Sequence, residues 1–289
     1  EAFIGLIAQV LAGYLQRVWN FGGSASLAPL FGSLSSLESV SDYQATLNSL
    51  SGSSLPASAF EQTLSVRNGL DASFSCPVFE GQDILLHESD CAWSKVVGGV
   101  ADHSGSPGYD VSDVGFRLGA QKGIGSDWFV GATSAYTNSW ADANDQGASS
   151  DGQILDGTLV LKYNPGPWYI GGGVGVGYGW YDNDRTIAMG GESTQLNSDS
   201  DVLTVTGRLR AAYEVPFDRW YLRPFADFDV IYSHVPGYHE NGPDGAALDI
   251  RSQNQTTFGS SPMLEGGGRI DLSDGWMLRP YAAAGMVIL

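Results

Sequence analysis

The chain has 289 residues, 39 of them glycine, and is 43% hydrophobic yet only 16% charged; 14 Lys and Arg stand against 32 Asp and Glu, a net charge of −18. That balance excludes a nucleic-acid binder, because phosphate would meet a repelling field, and the apolar content excludes a disordered tail. Abundant Gly, Trp and Tyr beside few charges favour strands and tight turns over helices.

No run of apolar residues is long enough for a transmembrane helix. The nearest candidate, residues 1 to 19, is interrupted by Gln9, followed by Arg17, and lacks the basic start of a signal peptide. It reads as an ordinary helix left after a cleavage or truncation. Ser, Ala and Leu then dominate, with breaks near Gly22, Gly52 and Ser53. Pro56 is placed to open a helix over about residues 56 to 73, through Phe60, Leu64, Arg67 and Leu70. Glu61, Gln62, Arg67, Asn68 and Asp71 interrupt its apolar stripe, which suits a polar, water-filled surrounding better than a dry core. Cys76 and Cys91 lie where a hairpin-like loop could join them. In an oxidising compartment they would pair, closing a loop of roughly 15 residues worth about 3 kcal/mol; the alternative is two free buried thiols. A CxxC motif is absent.

The chain divides near residue 91 into a helical linker, 1–90, and a second domain, 91–289, whose period is two. From Trp168 to Tyr181 the even positions read Trp168, Ile170, Gly172, Val174, Val176, Tyr178 and Trp180, and the odd ones are glycine between Tyr169 and Tyr181. Such alternation is a strand signature. Residues 220 to 232 repeat it, with Trp220, Leu222, Phe228, Val230 and Tyr232 on one face and Arg223, Asp227 and Asp229 on the other.

Length separates a soluble sandwich from a membrane barrel. About ten residues, Trp168 to Tyr178, make roughly 33 Å of strand, and a tilt of about 40° leaves roughly 25 Å, the height of an outer-membrane apolar band. Aromatics close both ends of such bands: Trp128 with Tyr136, Trp168 with Tyr178, Trp220 with Tyr232, and Trp276 at the start of a last strand. That is a double membrane girdle, whereas sandwich strands are shorter. Short joints before Trp128, Trp168, Trp220 and Trp276 alternate with longer polar loops at about 103–108, 141–152, 182–201 and 234–260. Nine antiparallel strands follow, beginning near Cys91, Tyr109, Trp128, Ser150, Trp168, Asp201, Trp220, Ser260 and Trp276. Bacterial single-chain barrels have even strand numbers and tolerate no edge in lipid, so the chain is expected to be incomplete by three strands. One hairpin unit recurs: Trp220-Tyr-Leu-Arg-Pro-Phe-Ala returns as Trp276-Met-Leu-Arg-Pro-Tyr-Ala, each with a proline whose missing donor the ladder must accommodate.

Cys91-Ala-Trp-Ser-Lys, Gly115-Phe-Arg-Leu-Gly-Ala-Gln and Asp127-Trp-Phe-Val-Gly-Ala with Tyr136 resemble the start of the autotransporter β-domain of Gram-negative bacteria. Asp42-Tyr-Gln-Ala-Thr-Leu-Asn-Ser-Leu-Ser-Gly resembles the segment that joins passenger to barrel there. The resemblance implies a twelve-stranded outer-membrane barrel with a helix in its pore, exporting and anchoring an N-terminal passenger. It further implies the lipid bilayer, the passenger, the β-barrel assembly machinery and periplasmic chaperones as partners, external loops at the cell surface, and no cofactor. Against that pattern, the final strands and nearly all of a passenger are expected to lie outside the sequence.

On this reading Arg67 faces acidic wall residues, and the glycine face of 171–179 gives the helix room. The alternation offers Arg117, Asp156, Lys162, Arg208, Arg210, Glu214, Arg223, Asp227, Asp229, Glu265, Arg269 and Arg279 as lumen-facing groups; each alone reads equally as charge on a wet wall. HExxH, GxSxG and P-loop signatures are absent, so no enzyme is expected. His234, His239, Glu240 and Asp244 share one loop and read as solvated rather than as metal ligands. An Asn-Asn pair, the site of pore cleavage in some family members, is also absent. A porin or adhesin with binding loops and a rim protease are the alternatives; some 90 residues of helix-prone sequence ahead of the first strand favour the translocator.

Overall fold

The computed structural model describes residues 2–23, 25–50, 57–74, 76–79, 84–103, 108–143, 147–189, 192–242, 247–272 and 276–288. Four helices come first: α1 (Ala2–Asn20), α2 (Ala28–Ser35), α3 (Val40–Leu50) and α4 (Ala57–Ser73). Two short strands, β1 (Pro77–Phe79) and β2 (Leu86–Glu88), pair antiparallel.

The period-two sequence then makes β3 (Cys91–His103), β4 (Tyr109–Gly123), β5 (Trp128–Ala143), β6 (Ala148–Tyr163), β7 (Trp168–Met189), β8 (Glu192–Tyr213), β9 (Val215–Phe217), β10 (Trp220–Val235), β11 (Tyr238–His239), β12 (Asp249–Ile250), β13 (Gln253–Gly268), β14 (Ile270–Asp271), β15 (Met277–Leu278) and β16 (Tyr281–Gly285). Nine of them form one curled antiparallel sheet in the order β16-β13-β10-β8-β7-β6-β5-β4-β3, with β9 added beside β10. Neighbours in the sheet are neighbours in sequence, the meander that hairpins alone can build.

Burial is inverted relative to a water-soluble protein. Leu159, Val174 and Leu209 are 58%, 59% and 64% exposed, while Arg117, Lys162 and Asp229 are 2%, 0% and 0% exposed. A convex apolar face with a charged concave face is what lipid outside and a polar interior inside require. The girdle aromatics Trp128, Tyr136, Trp168, Tyr178, Trp220 and Tyr232 are all exposed on the convex side, joined there by Trp140, Trp180, Tyr213 and Phe217, and Trp276, just ahead of β15, is exposed outside the curled sheet. Trp128 stacks on Tyr163 at 4.7 Å and Trp168 meets Tyr213 edge-on at 4.7 Å, each across one register pair.

Several expected boundaries move. Residues 182–201 are largely strand, because β7 and β8 each run 22 residues and leave only 190–191 between them. They project as a polar hairpin, so the hydrophobic period that marks strands in the band is lost there. Strand starts shift from Ser150 to Ala148, from Asp201 to Glu192 and from Ser260 to Gln253 for the same reason. The last strand begins at Tyr281 rather than Trp276: Ile270 and Asp271 pair with Leu278 and Met277 in their own small ladder, β14 with β15, and Pro280, which has no N–H, precedes the main pairing. Its counterpart Pro224 lies inside β10, between Leu222, where the pairing with β9 stops, and Phe225, where the pairing with β8 starts, so no donor is missed on that side. Pro56, Gly52, Ser53, Asp244 and the turn 273–275 lie outside the described residues.

The helices α1–α3 gather at the end of the sheet where β7 meets β8. Leu15, Leu30, Leu47 and Leu50 pack there with Ile187 and Leu196 in one buried cluster. Arg185 on β7 binds the Glu240 carboxylate and the Ser49 carbonyl, tying hairpin, loop and α3 together.

Candidate functional site

Helix α4 lies along the concave face, touching β4, β5, β6, β7, β8 and β10. Glycine makes this possible. A Cβ on Gly171 would meet the Phe74 ring at 2.6 Å, on Gly173 it would meet Leu70 at 3.0 Å, and on Gly175 Val66 at 2.9 Å. Gln62, Val66 and Leu70, spaced four apart, present one helical face to alternate residues of one strand. Gln62, Val66 and Leu70 are each 0% exposed. Tyr181 donates to Gln62 Oε1 at 3.1 Å, and Leu70 and Phe74 pack with Val160, Tyr169 and Ala212.

The polar faces of α4 meet charges. Arg67 donates from Nε to Asp229 at 3.1 Å and from Nη2 to Ser261 at 3.3 Å. Asp71 accepts from Arg208 and, at 2.7 Å, from Arg210. Ser65 donates to Asp156 at 3.0 Å. Thr63 and Ser233 hydroxyls lie 3.4 Å apart.

The wall pairs its own charges by register. Asp227 stands opposite Arg210 and Asp229 opposite Arg208 on adjacent strands, so each Arg–Asp pair meets directly. Arg117 on β4 and Asp156 on β6 both face Ala135 on β5, whose small side chain lets them meet over it; the guanidinium donates to both carboxylate oxygens, at 2.6 and 2.8 Å. Arg117 also donates to the Ser65 carbonyl at 3.3 Å. Glu265 accepts from Arg279 and from Tyr221, at 2.8 and 2.7 Å. Arg223 lies 5.0 Å above the Tyr169 ring. Arg269 binds Asp271 at 2.8 Å in the turn region and lies 5.9 Å from the Phe79 ring, toward the mouth rather than along α4.

Of the four helix residues singled out from sequence, Leu70 and Arg67 bind the wall, while Leu64 lines a cavity of about 600 Å³ on the side toward β3. The Phe60 side chain lies outside the described residues. Sequence reasoning missed Gln62 and Val66, although their spacing with Leu70 is helical, because the apolar stripe was traced through Phe60 and Leu64. It also missed Asp71 as a bridge between two arginines.

At the other end of α4 the disulfide Cys76–Cys91 is formed, with Cα atoms 6.3 Å apart. The β1–β2 pair that it encloses packs into the mouth of the sheet. Glu88 there binds the fully buried Lys162 at 2.9 Å, and Gln121 donates to the same carboxylate at 2.7 Å. Glu214, in the break between β8 and β9, accepts from the Leu86 N–H at 2.8 Å; burial pushes its carboxyl up to about 7. The loop residues have ordinary partners: His239 meets Asp249 at 2.8 Å and His234 meets Asn254 at 2.7 Å. Among the described residues no group of three or more His, Cys, Asp or Glu could hold a metal.

Residues 92–287 match the autotransporter beta-domain family model. Among solved structures, the chain is similar to the translocator domain of autotransporter NalP from Neisseria meningitidis, at 14% identity and a TM-score of 0.58, covering 80% of this chain and 76% of that one. It is also similar to the beta domain of the Bordetella autotransporter BrkA, at 20% identity and a TM-score of 0.54, covering 68% and 78%. No curated protein matches the sequence. The chain belongs to the autotransporter β-domain family, the outer-membrane translocator barrels of Gram-negative bacteria.

Proposed function

We propose that this domain exports a passenger polypeptide on its N-terminal side to the cell surface and then anchors it, with α4 remaining in the lumen. The observation that carries the reading is the path of α4. It runs inside the curled sheet, from the end where α1–α3 sit on the β7–β8 hairpin to the end where the Cys76–Cys91 disulfide encloses the β1–β2 pair, whose Glu88 and Leu86 N–H groups bind Asn164 and Glu214. A chain drawn through a pore would leave such a segment behind. On this reading the β7–β8 end and its loops face outward, the short turns face the periplasm, and the exposed aromatics mark the two interfaces.

The lumen-facing charges hold α4 rather than catalyse: Asp229, Asp156, Arg208 and Arg210 are all engaged with it. The reading needs no cofactor and no chemical step. Assembly into the membrane would use periplasmic chaperones and the β-barrel assembly machinery, since the apolar convex face cannot remain in water. A porin would require an open lumen, whereas α4 lies against six strands of the concave face; a rim protease would show turnover abolished by changes at the loop His or Asp residues.

An epitope fused ahead of residue 1 tests the reading. Antibody should bind it on intact cells, and external protease should remove it. An epitope reached only after the outer membrane is permeabilised would overturn the proposal.

A further inference from the structure

The segment between α4 and β3 is more than a connector. Its two strands reach residues from four different parts of the wall: Gln121 at the end of β4, Lys162 and Asn164 around the end of β6, Glu214 after β8, and Tyr221 in β10. The Glu88 N–H donates to Asn164 Oδ1 at 3.0 Å while its carboxylate binds Lys162, and Phe79 and Leu86 pack on Tyr221. The segment therefore bridges the mouth from one side of the sheet to the other.

Chain lengths decide what the disulfide adds. Cys76 and Cys91 are 15 residues apart in sequence, a leash that fully extended spans about 50 Å. Helix α4 has 17 residues and is about 26 Å long. With free thiols and an undocked hairpin, the leash is long enough for α4 to leave the lumen altogether. With the bond formed, the two Cα atoms are held 6.3 Å apart, and Cys76 lies only three residues beyond the end of α4. The helix then has almost no travel.

We propose that the disulfide-closed β1–β2 hairpin is a redox-set lock: it stoppers the short-turn mouth and, once oxidised, fixes α4 in the lumen. The inference rests on the lumen reading of α4 given above. Closure is a thiol–disulfide exchange with the disulfide of a periplasmic dithiol oxidant. One cysteine thiolate attacks that disulfide and the second displaces the mixed bond. Cys76 and Cys91 are oxidised, the oxidant is reduced to two thiols, and the two protons pass to them.

The test uses the full chain purified from outer membranes without reductant, in planar bilayers, before and after a phosphine reductant, with free thiols verified by maleimide labelling. Reduction should convert a quiet, low current into repeated openings and speed amide exchange across residues 57–73 at least tenfold. A Cys76→Ser/Cys91→Ser double variant should behave as reduced protein and ignore the reductant. Unchanged current and unchanged exchange after verified reduction would overturn the lock. Surface display of the N-terminal epitope is scored separately: intact display with no redox effect removes the lock alone, and redox-dependent current without display removes the export reading alone.

Discussion

A Cβ on Gly177 would lie 2.5 Å from Cγ2 of Val66, so strand β7 and helix α4 touch in this way only because that side chain is missing. Both residues are buried. Gly177→Leu should therefore push α4 off the wall. Overpacking of this kind costs about 1–3 kcal/mol, which a lower temperature of heat-induced mobility shift on gels would report. Gly157→Leu, where the nearest atom to a new Cβ is 3.7 Å away, should cost less; equal losses would argue against a tight helix–strand contact.

Asp156, 2% exposed like Arg117, accepts two hydrogen bonds from that arginine and one from Ser65. Asp156→Ala leaves the guanidinium buried and unpaired, a loss of about 3–5 kcal/mol. The double change Arg117→Met/Asp156→Leu removes both charges and should recover most of that stability. Urea titrations of the three proteins provide the check, and a double variant as unstable as Asp156→Ala would contradict the pairing.

Leu159 is exposed near the middle of β6, between Leu155 opposite Tyr136 and Tyr163 opposite Trp128. If that face meets hydrocarbon, Leu159→Arg should destabilise the folded protein in bilayers by about 2–4 kcal/mol. A cost near zero would place the convex face in water.

Glu214 titrates upward because it is buried, to about 7 against an ordinary 4.5. Its neutral form is thus favoured in the fold. The contribution is complete below the unfolded-state value near 4.5 and is lost as pH rises through about 7. Exchange of the Leu86 amide, corrected for the intrinsic pH dependence, should accelerate over that window. Glu214→Gln should flatten the profile; an unchanged profile would sink the assignment.

The sheet was legible because lipid imposes one apolar face on every strand. The alternation of Trp168, Ile170, Val174 and Val176 with glycine marks β7 in the band, and the same glycines mark where α4 rests. Legibility ends where the lipid does. Asp182, Asn183, Asp184 and Arg185 belong to β7 too, but both faces there are polar, so no period announces a strand. Between Cys76 and Cys91 only a hairpin-like loop was legible, not the strands β1 and β2, for a different reason: three-residue strands carry no periodicity. Glu88, which holds Lys162, was lost with them. The charged pairs were legible as an inward set but not as pairs, since partnership depends on register and on small residues such as Ala135 that let side chains meet.

The position of α4 inside the sheet is the claim on which the rest depends, and single-channel conductance in planar bilayers measures it most directly. The complete protein should carry little current, and a variant lacking residues 57–73 should carry several times more with the same strand content by circular dichroism. Equal conductance in the two proteins, both folded, would place the helix outside the lumen and contradict the account.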